Sequence, residues 1–204
     1  CDYYAVLGKR AHAHFDEALA LAKVEDCDSS VIISLYQTES QFSEGIPAID
    51  KAEDGIKKAF WSQFHFGYYN KVEWALNECS KFGTCGSFVR LLYCLNEKNH
   101  FNPTFLYNCI MMTPSLSYSD NDRIDTYYLS SLLKQIQDNF MEDEEKRIQI
   151  AKIEFFFSAL IDWNDMRCLQ YEVKKSPDAF VDVLAIIYKT DDDSVPEVAV
   201  KNKE

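Results

Sequence analysis

Glycine and proline are scarce, at six and five in 204 residues. A chain built of strands needs both for its many tight turns, so sandwiches and barrels are disfavoured. The sequence holds no G-x-S-x-G elbow, no P-loop, no H-E-x-x-H, no glycine-rich phosphate loop and no C-x-x-C pair. Each of those patterns fixes a reacting group through backbone geometry or ligand spacing. Without them there is no positive case for an enzyme, although a triad assembled from distant residues leaves no such signature. No apolar run approaches the ~18 residues expected of a membrane span. The first residues, "CDYYAVLGKRAHAHF", lack the basic-then-apolar order of a secretion signal and carry no initiating Met, so a piece of a longer open reading frame is expected. Positive charge is short as well: 21 Lys and Arg stand against 33 Asp and Glu, a net charge of −12. That field repels phosphate backbones and anionic membrane surfaces. In two basic stretches the charge is offset locally: "DGIKKAF" sets two lysines beside Asp54 and the preceding Glu53, and "DEEKRIQ" sets two basic residues beside three acids. Neither nucleic acid nor membrane is the expected partner.

What is present is apolar periodicity. The chain is 47% hydrophobic, enough for one domain with a core or one continuous helical array. Leu129, Leu132, Leu133 and Ile136 recur at i, i+3, i+4 and i+7, and so do Phe88, Leu91, Leu92 and Leu95. Phe180, Val183, Leu184, Ile187 and Tyr188 extend the pattern, and Ile150, Ile153, Phe157 and Leu160 give a looser version. Helix starts are marked by Asn102-Pro103, Ser176-Pro177 and Asp28 or Ser29. The expected helices run over 3–24, 29–39, 47–64 with a break around Ala52–Gly55, 69–82, 86–97, 103–112, 123–138, 142–162, 165–175 and 177–189. Short connections between them predict an all-α fold of antiparallel helix pairs, stacked as an irregular α-solenoid or a compact helical bundle. One helical-array domain is expected over 1–190, with a sub-boundary near 115–123 in the polar stretch "SYSDNDRID", and a tail or linker over 191–204.

The stretch most suggestive of chemistry is "NECSKFGTCGSFVRLLYC", residues 77–94. Cys79, Cys85, Cys94 and Cys109 are separated by five, eight and fourteen residues, unlike the paired knuckles of a structural zinc site. On a helix over 86–97, Cys85 and Cys94 would lie ~13 Å apart along the axis at ~1.5 Å per residue, too far to share one ion. Cys79 continues the stripe of Tyr69, Val72 and Leu76, and Gly83 suits a helix end where φ is often positive. Cys79 and Cys85 read first as core and turn residues, and as reactive thiols they can also meet across the turn in a disulfide or a two-thiol redox pair. With seven cysteines and no secretion signal, a reducing, cytoplasmic setting is expected.

Other candidates are weaker. His12 and His14 sit two apart, so on a helix they point in different directions. His65, among the aromatics of "WSQFHFGYY", reads as a packed junction, and it is the histidine best placed to contact a ligand. "SDNDRID" and "DDDSVPEV" lack the glycine and closing Glu of an EF-hand, and "MEDEEKR" places acids in a helical first turn, where the macrodipole favours them. No catalytic residue, metal or cofactor is expected from these patterns.

Four stretches, "AFWSQFHFGYYNKVEWALNECSKFGTCGSFVRLL", "YYLSSLLKQIQ", "IAKIEFFFSALIDW" and "LQYEVKKSPDAFVDVLAIIYK", span residues 59–189. Together they resemble the C-terminal helical-repeat region of large uncharacterised bacterial multidomain proteins, some with NTPase-like or other effector modules upstream. The chain departs from that pattern at "KFGTCGSF", where the family favours a Gly-Arg-Pro turn. The resemblance implies an accessory helical array and no catalytic residues. The expected function is therefore a non-enzymatic interaction or sensor segment that meets a protein partner or other domains of its parent chain. Two alternatives are a thiol-redox or small-molecule module using Cys79 and Cys85, and an acidic adaptor for a basic protein.

Overall fold

Helices begin where a side chain can accept an orphan N–H. Asn102 accepts from Phe105 N at 2.9 Å ahead of a helix whose first residue is Pro103. Asp28 accepts from Ser30 N at 2.7 Å, Asp125 from Tyr127 N at 3.0 Å, and Asp143 from Lys146 N at 3.1 Å. The structure, a computed structural model, describes residues 13–25, 27–43, 45–63, 71–118 and 123–176. Among these residues there are nine α-helices and no strand. They are α1 (Phe15–Val24), α2 (Ser29–Phe42), α3 (Asp54–Trp61), α4 (Val72–Phe82), α5 (Cys85–Asn99), α6 (Pro103–Met111), α7 (Thr126–Phe140), α8 (Glu144–Phe156) and α9 (Arg167–Lys175). Short 3₁₀ turns cover Ala48–Lys51, Thr113–Ser115 and Trp163–Asp165.

The all-α class is as expected, and several boundaries differ. The break expected around Ala52–Gly55 within 47–64 falls at Ala52 and Glu53, and what precedes it is the first 3₁₀ turn rather than α-helix, with α3 following. The expected helix over 142–162 stops at Phe156. Beyond it the chain enters the Trp163–Asp165 turn, where the Asp162 carboxylate accepts from Asn164 N at 2.8 Å. Such a local bond offers the backbone an alternative to helix. The expected helix over 177–189, the Ser176-Pro177 start, the tail, residues 3–12, His12, His65 and Tyr69 lie wholly or partly outside the described residues.

The chain forms two compact units. One comprises residues 1–100 and 116–123; in it α1 packs on α2, α2 on α3, α3 on α4, and α4 on α5. Its core includes Ile33, Phe60, Trp61, Leu76, Phe88, Leu92 and Leu95, all buried. The other comprises 101–115 and 124–204; in it α6 packs on α7, α7 on α8, and α8 on α9. The stripe Leu129, Leu132, Leu133 and Ile136 is entirely buried there, together with Ile150, Ile153 and Phe157.

The turn between α4 and α5 corrects one expectation. Gly83 has φ −85°, so no left-handed conformation calls for glycine. Space does: a Cβ at Gly83 would lie 2.7 Å from both Cys79 O and Ser87 Oγ, and 2.8 Å from Cys79 Sγ. Those neighbours are held in place. Gly83 N donates to Cys79 O at 2.8 Å, and Thr84 N donates to Ser87 Oγ at 2.8 Å in the reciprocal cap that opens α5. Residue 117 fastens the same turn, since Ser117 Oγ donates to Gly83 O at 2.8 Å and Cys85 N donates to Ser117 O at 2.9 Å. Gly83→Ala should therefore destabilise the chain by about 1–3 kcal/mol through overpacking. Urea denaturation checks this, and an unchanged midpoint would mean that the turn yields freely.

Candidate functional site

The polar chemistry of the second unit is organised by the pair α8 and α9, which run antiparallel. At one end Arg147 of α8 pairs with Glu172 of α9 at 2.6 Å, donates to Met141 O at 2.9 Å, and lies 4.3 Å from the Tyr171 ring centroid. At the other end Glu154 of α8 meets the start of α9. Met166, the residue preceding α9, offers no side-chain cap. The Glu154 carboxylate replaces it, accepting from Leu169 N at 2.6 Å and Cys168 N at 3.2 Å. A helix N-terminus favours an anion, so a carboxylate from a neighbouring helix can do what a cap residue normally does.

Glu154 is 0% exposed and also accepts from Gln137 Nε2 at 2.8 Å. Burial pushes its carboxyl above the usual carboxylate range, and the accepted hydrogen bonds only partly oppose that shift. Asp143 and Glu144 shift down instead, Asp143 chiefly through its hydrogen bonds with Lys146 and Glu144 through its hydrogen bond with Lys175. The signs are opposite. Glu154 contributes stability in full below its unfolded pKa of about 4.3 and loses it as pH rises through the folded value. Asp143 and Glu144 contribute above their unfolded values and lose that as pH falls through the folded ones. Carboxyl-carbon NMR should show Glu154 ionising last of the three; Glu154 ionising first would contradict the burial argument.

Gln137 carries this buried network to a surface cleft. Its Nε2 also donates to Asp165 O at 2.6 Å. The cleft, of about 420 Å³, is lined by Tyr127, Ser130, Ser131, Lys134 and Gln137 of α7 with Asp165 and Arg167. Arg167 pairs with Asp138. Clefts of this size with convergent polar groups are where small ligands and partner side chains bind.

The sequence-level candidates lie elsewhere. Cys79 is in the last turn of α4 and Cys85 is the first residue of α5, 1% and 0% exposed respectively, and neither is in a disulfide. Cys79 Sγ lies 3.7 Å from Ser87 Oγ. Burial protects a thiol from reagents in solution. In the native chain both should react with a thiol reagent far more slowly than after denaturation, as read by mass spectrometry. Rapid native labelling of both would favour the redox reading. Burial also raises the Cys109 thiol, to about 11. His14 is exposed, with Nδ1 3.1 Å from Glu17 Oε2, and His65 is outside the described residues. Among the described residues no group of three or more His, Cys, Asp or Glu side chains gathers where a metal could sit.

The chain matches no protein-family model, no curated protein and no solved structure.

Glu154, Gln137, Asp165 and Arg167 are not among the residues that the sequence marks as candidates, and two of them do leave a signal. Ile150, Ile153, Glu154 and Phe157 stand at i, i+3, i+4 and i+7, so Glu154 occupies an apolar position of its stripe. Gln137 does the same at i+8 from Leu129. An acid and an amide at stripe positions of successive helices are candidates for one buried hydrogen-bonded network. Asp165 and Arg167 leave no such mark, because one lies in the 3₁₀ turn and the other is the first residue of α9, where no apolar stripe flags them.

Proposed function

We propose that this chain is a non-enzymatic interaction or sensor segment of a larger protein, of the kind found in the bacterial multidomain proteins it resembles. It acts in the cytoplasm on a protein partner or on other domains of its parent chain. One observation carries the reading: the second unit exposes large aromatic side chains, with Tyr127 at 67%, Trp163 at 50% and Tyr171 at 45%. Tyr127 lines the cleft, and Trp163 shares a 3₁₀ turn with Asp165 of the cleft. Tyr and Trp are among the residue types that anchor protein interfaces, since they bury much area while holding few rotamers. The net charge of −12 favours a protein partner over a nucleic acid. No helix among the described residues is long and apolar enough to cross a membrane.

The test uses the parent protein. With the other domains of the parent supplied as a separate polypeptide, this segment should bind them, and a Tyr127→Ala, Trp163→Ala double variant should bind at least ~10-fold more weakly by calorimetry. Equal binding by the variant overturns the reading. So does an open reading frame that starts immediately before Cys1 and encodes no further domain.

A further inference from the structure

The cleft of the second unit has a distinctive polar lining. Ser130, Ser131, Lys134 and Gln137 lie on one side of α7, at spacings of three, four and seven residues that keep helix positions together. Asp165 comes from the 3₁₀ turn before α9. Lys134 carries a positive charge and Asp165 a negative one, and among the described residues they do not pair with each other or with another ion. The second cation, Arg167, is neutralised by Asp138. The Ser130 and Ser131 hydroxyls make no hydrogen bond among the described residues.

Gln137 supplies the independent observation. It is 1% exposed. Both Nε2 hydrogens are engaged, by Glu154 Oε1 at 2.8 Å and Asp165 O at 2.6 Å. Two oxygen acceptors at that end establish which terminus is the amide nitrogen. Oε1 is then left without a donor among the described residues, and an unsatisfied buried acceptor is uncommon enough to call for a partner.

We propose that this cleft binds a small zwitterion, a free α-amino acid or an unblocked dipeptide. The ammonium donates to the Asp165 carboxylate and Gln137 Oε1, and the carboxylate is taken by the Lys134 ammonium with the Ser130 and Ser131 hydroxyls. A plain anion would leave Asp165 repelling it and Gln137 Oε1 without a donor. A plain cation would leave Lys134 uncompensated. A ligand carrying both charges meets each group with its complement. The inference rests on reading the cleft as the contact site of a sensor segment and adds the chemistry of what enters it.

The experiment uses the whole chain, with no partner present. Free proteinogenic L-amino acids and unblocked dipeptides are screened by saturation-transfer NMR, and hits are titrated by calorimetry. Each hit is compared with its N-acetyl form, which lacks the cation, and its amide, which lacks the anion. Binding should be saturable, and each blocked form should bind at least ~10-fold more weakly, about 1.4 kcal/mol. Lys134→Met and Asp165→Asn should each weaken binding by a similar factor, with unchanged circular dichroism because both side chains are exposed. No saturable binding at millimolar ligand overturns the proposal. So does equal binding of a blocked form, or affinity unmoved by both substitutions. A null result here leaves the partner assay standing, since that assay reads the aromatic anchors rather than the ligand.

Discussion

Glu154→Ala should destabilise the chain by about 3–5 kcal/mol, because two buried N–H groups are left without an acceptor at about 1–3 kcal/mol each, and a void is added. The groups are Leu169 N and Cys168 N in the first turn of α9, which has no cap of its own. Gln137 loses one of its two acceptors at the same time. Relief of the desolvation cost of Glu154 works in the other direction, and it limits the loss rather than reversing it. Glu154→Gln separates these effects. It keeps one acceptor but turns an NH₂ toward groups that already donate, so its loss should fall between wild type and Glu154→Ala. Urea denaturation of the three proteins reads the order directly. A Glu154→Ala variant within 1 kcal/mol of wild type would mean that water caps α9 as well as the carboxylate does.

Leu132→Ala should cost about 2–5 kcal/mol, the range for emptying a leucine site in a close-packed core. Leu132 is 0% exposed, and Leu129, Leu133 and Ile136 around it on α7 are 0%, 1% and 0% exposed. A site packed on every side collapses little, which places the loss toward the upper part of the range. Since α7 also carries the lining of the cleft, a second readout follows. The temperature at which α7 loses structure and the temperature at which the cleft stops binding ligand should fall together in Leu132→Ala. A stability loss below 1 kcal/mol would show that the stripe is less enclosed than the structure gives it.

Most of the helices were legible because each rests on neighbouring residues. Apolar spacing, Asn102-Pro103 and Asp28 each act within one or two turns, so their meaning does not depend on what lies across the core. The stop at Phe156 was not legible by the same means. The apolar run continues through Phe157, Leu160 and Ile161, and the change is marked by the tighter backbone bonds Ser158 N to Phe155 O and Leu160 N to Phe157 O, followed by the bond from Asn164 N to Asp162. At Gly83 the residue was correctly placed after a helix end, but for a different reason. Sequence suggests backbone freedom, whereas the structure shows a Cβ blocked by Cys79 and Ser87. Ser87 is in the following helix, so the crowding exists only once the turn has closed.

The cysteine-rich stretch drew attention because its residues are close in sequence, and the cleft did not because its residues are not. Cys79 and Cys85 flank a sealed turn. Tyr127 and Arg167 are forty residues apart and share one cleft. By itself the sequence determined the all-α class, the main helix starts and the apolar stripes, since propensity, capping and periodicity are local properties. The tertiary structure alone decided that Glu154 caps a helix other than its own and that Lys134 and Asp165 share a cleft without pairing. It alone left Gln137 Oε1 buried without a donor among the described residues. Those facts depend on distances between helices, and no spacing along the chain encodes them.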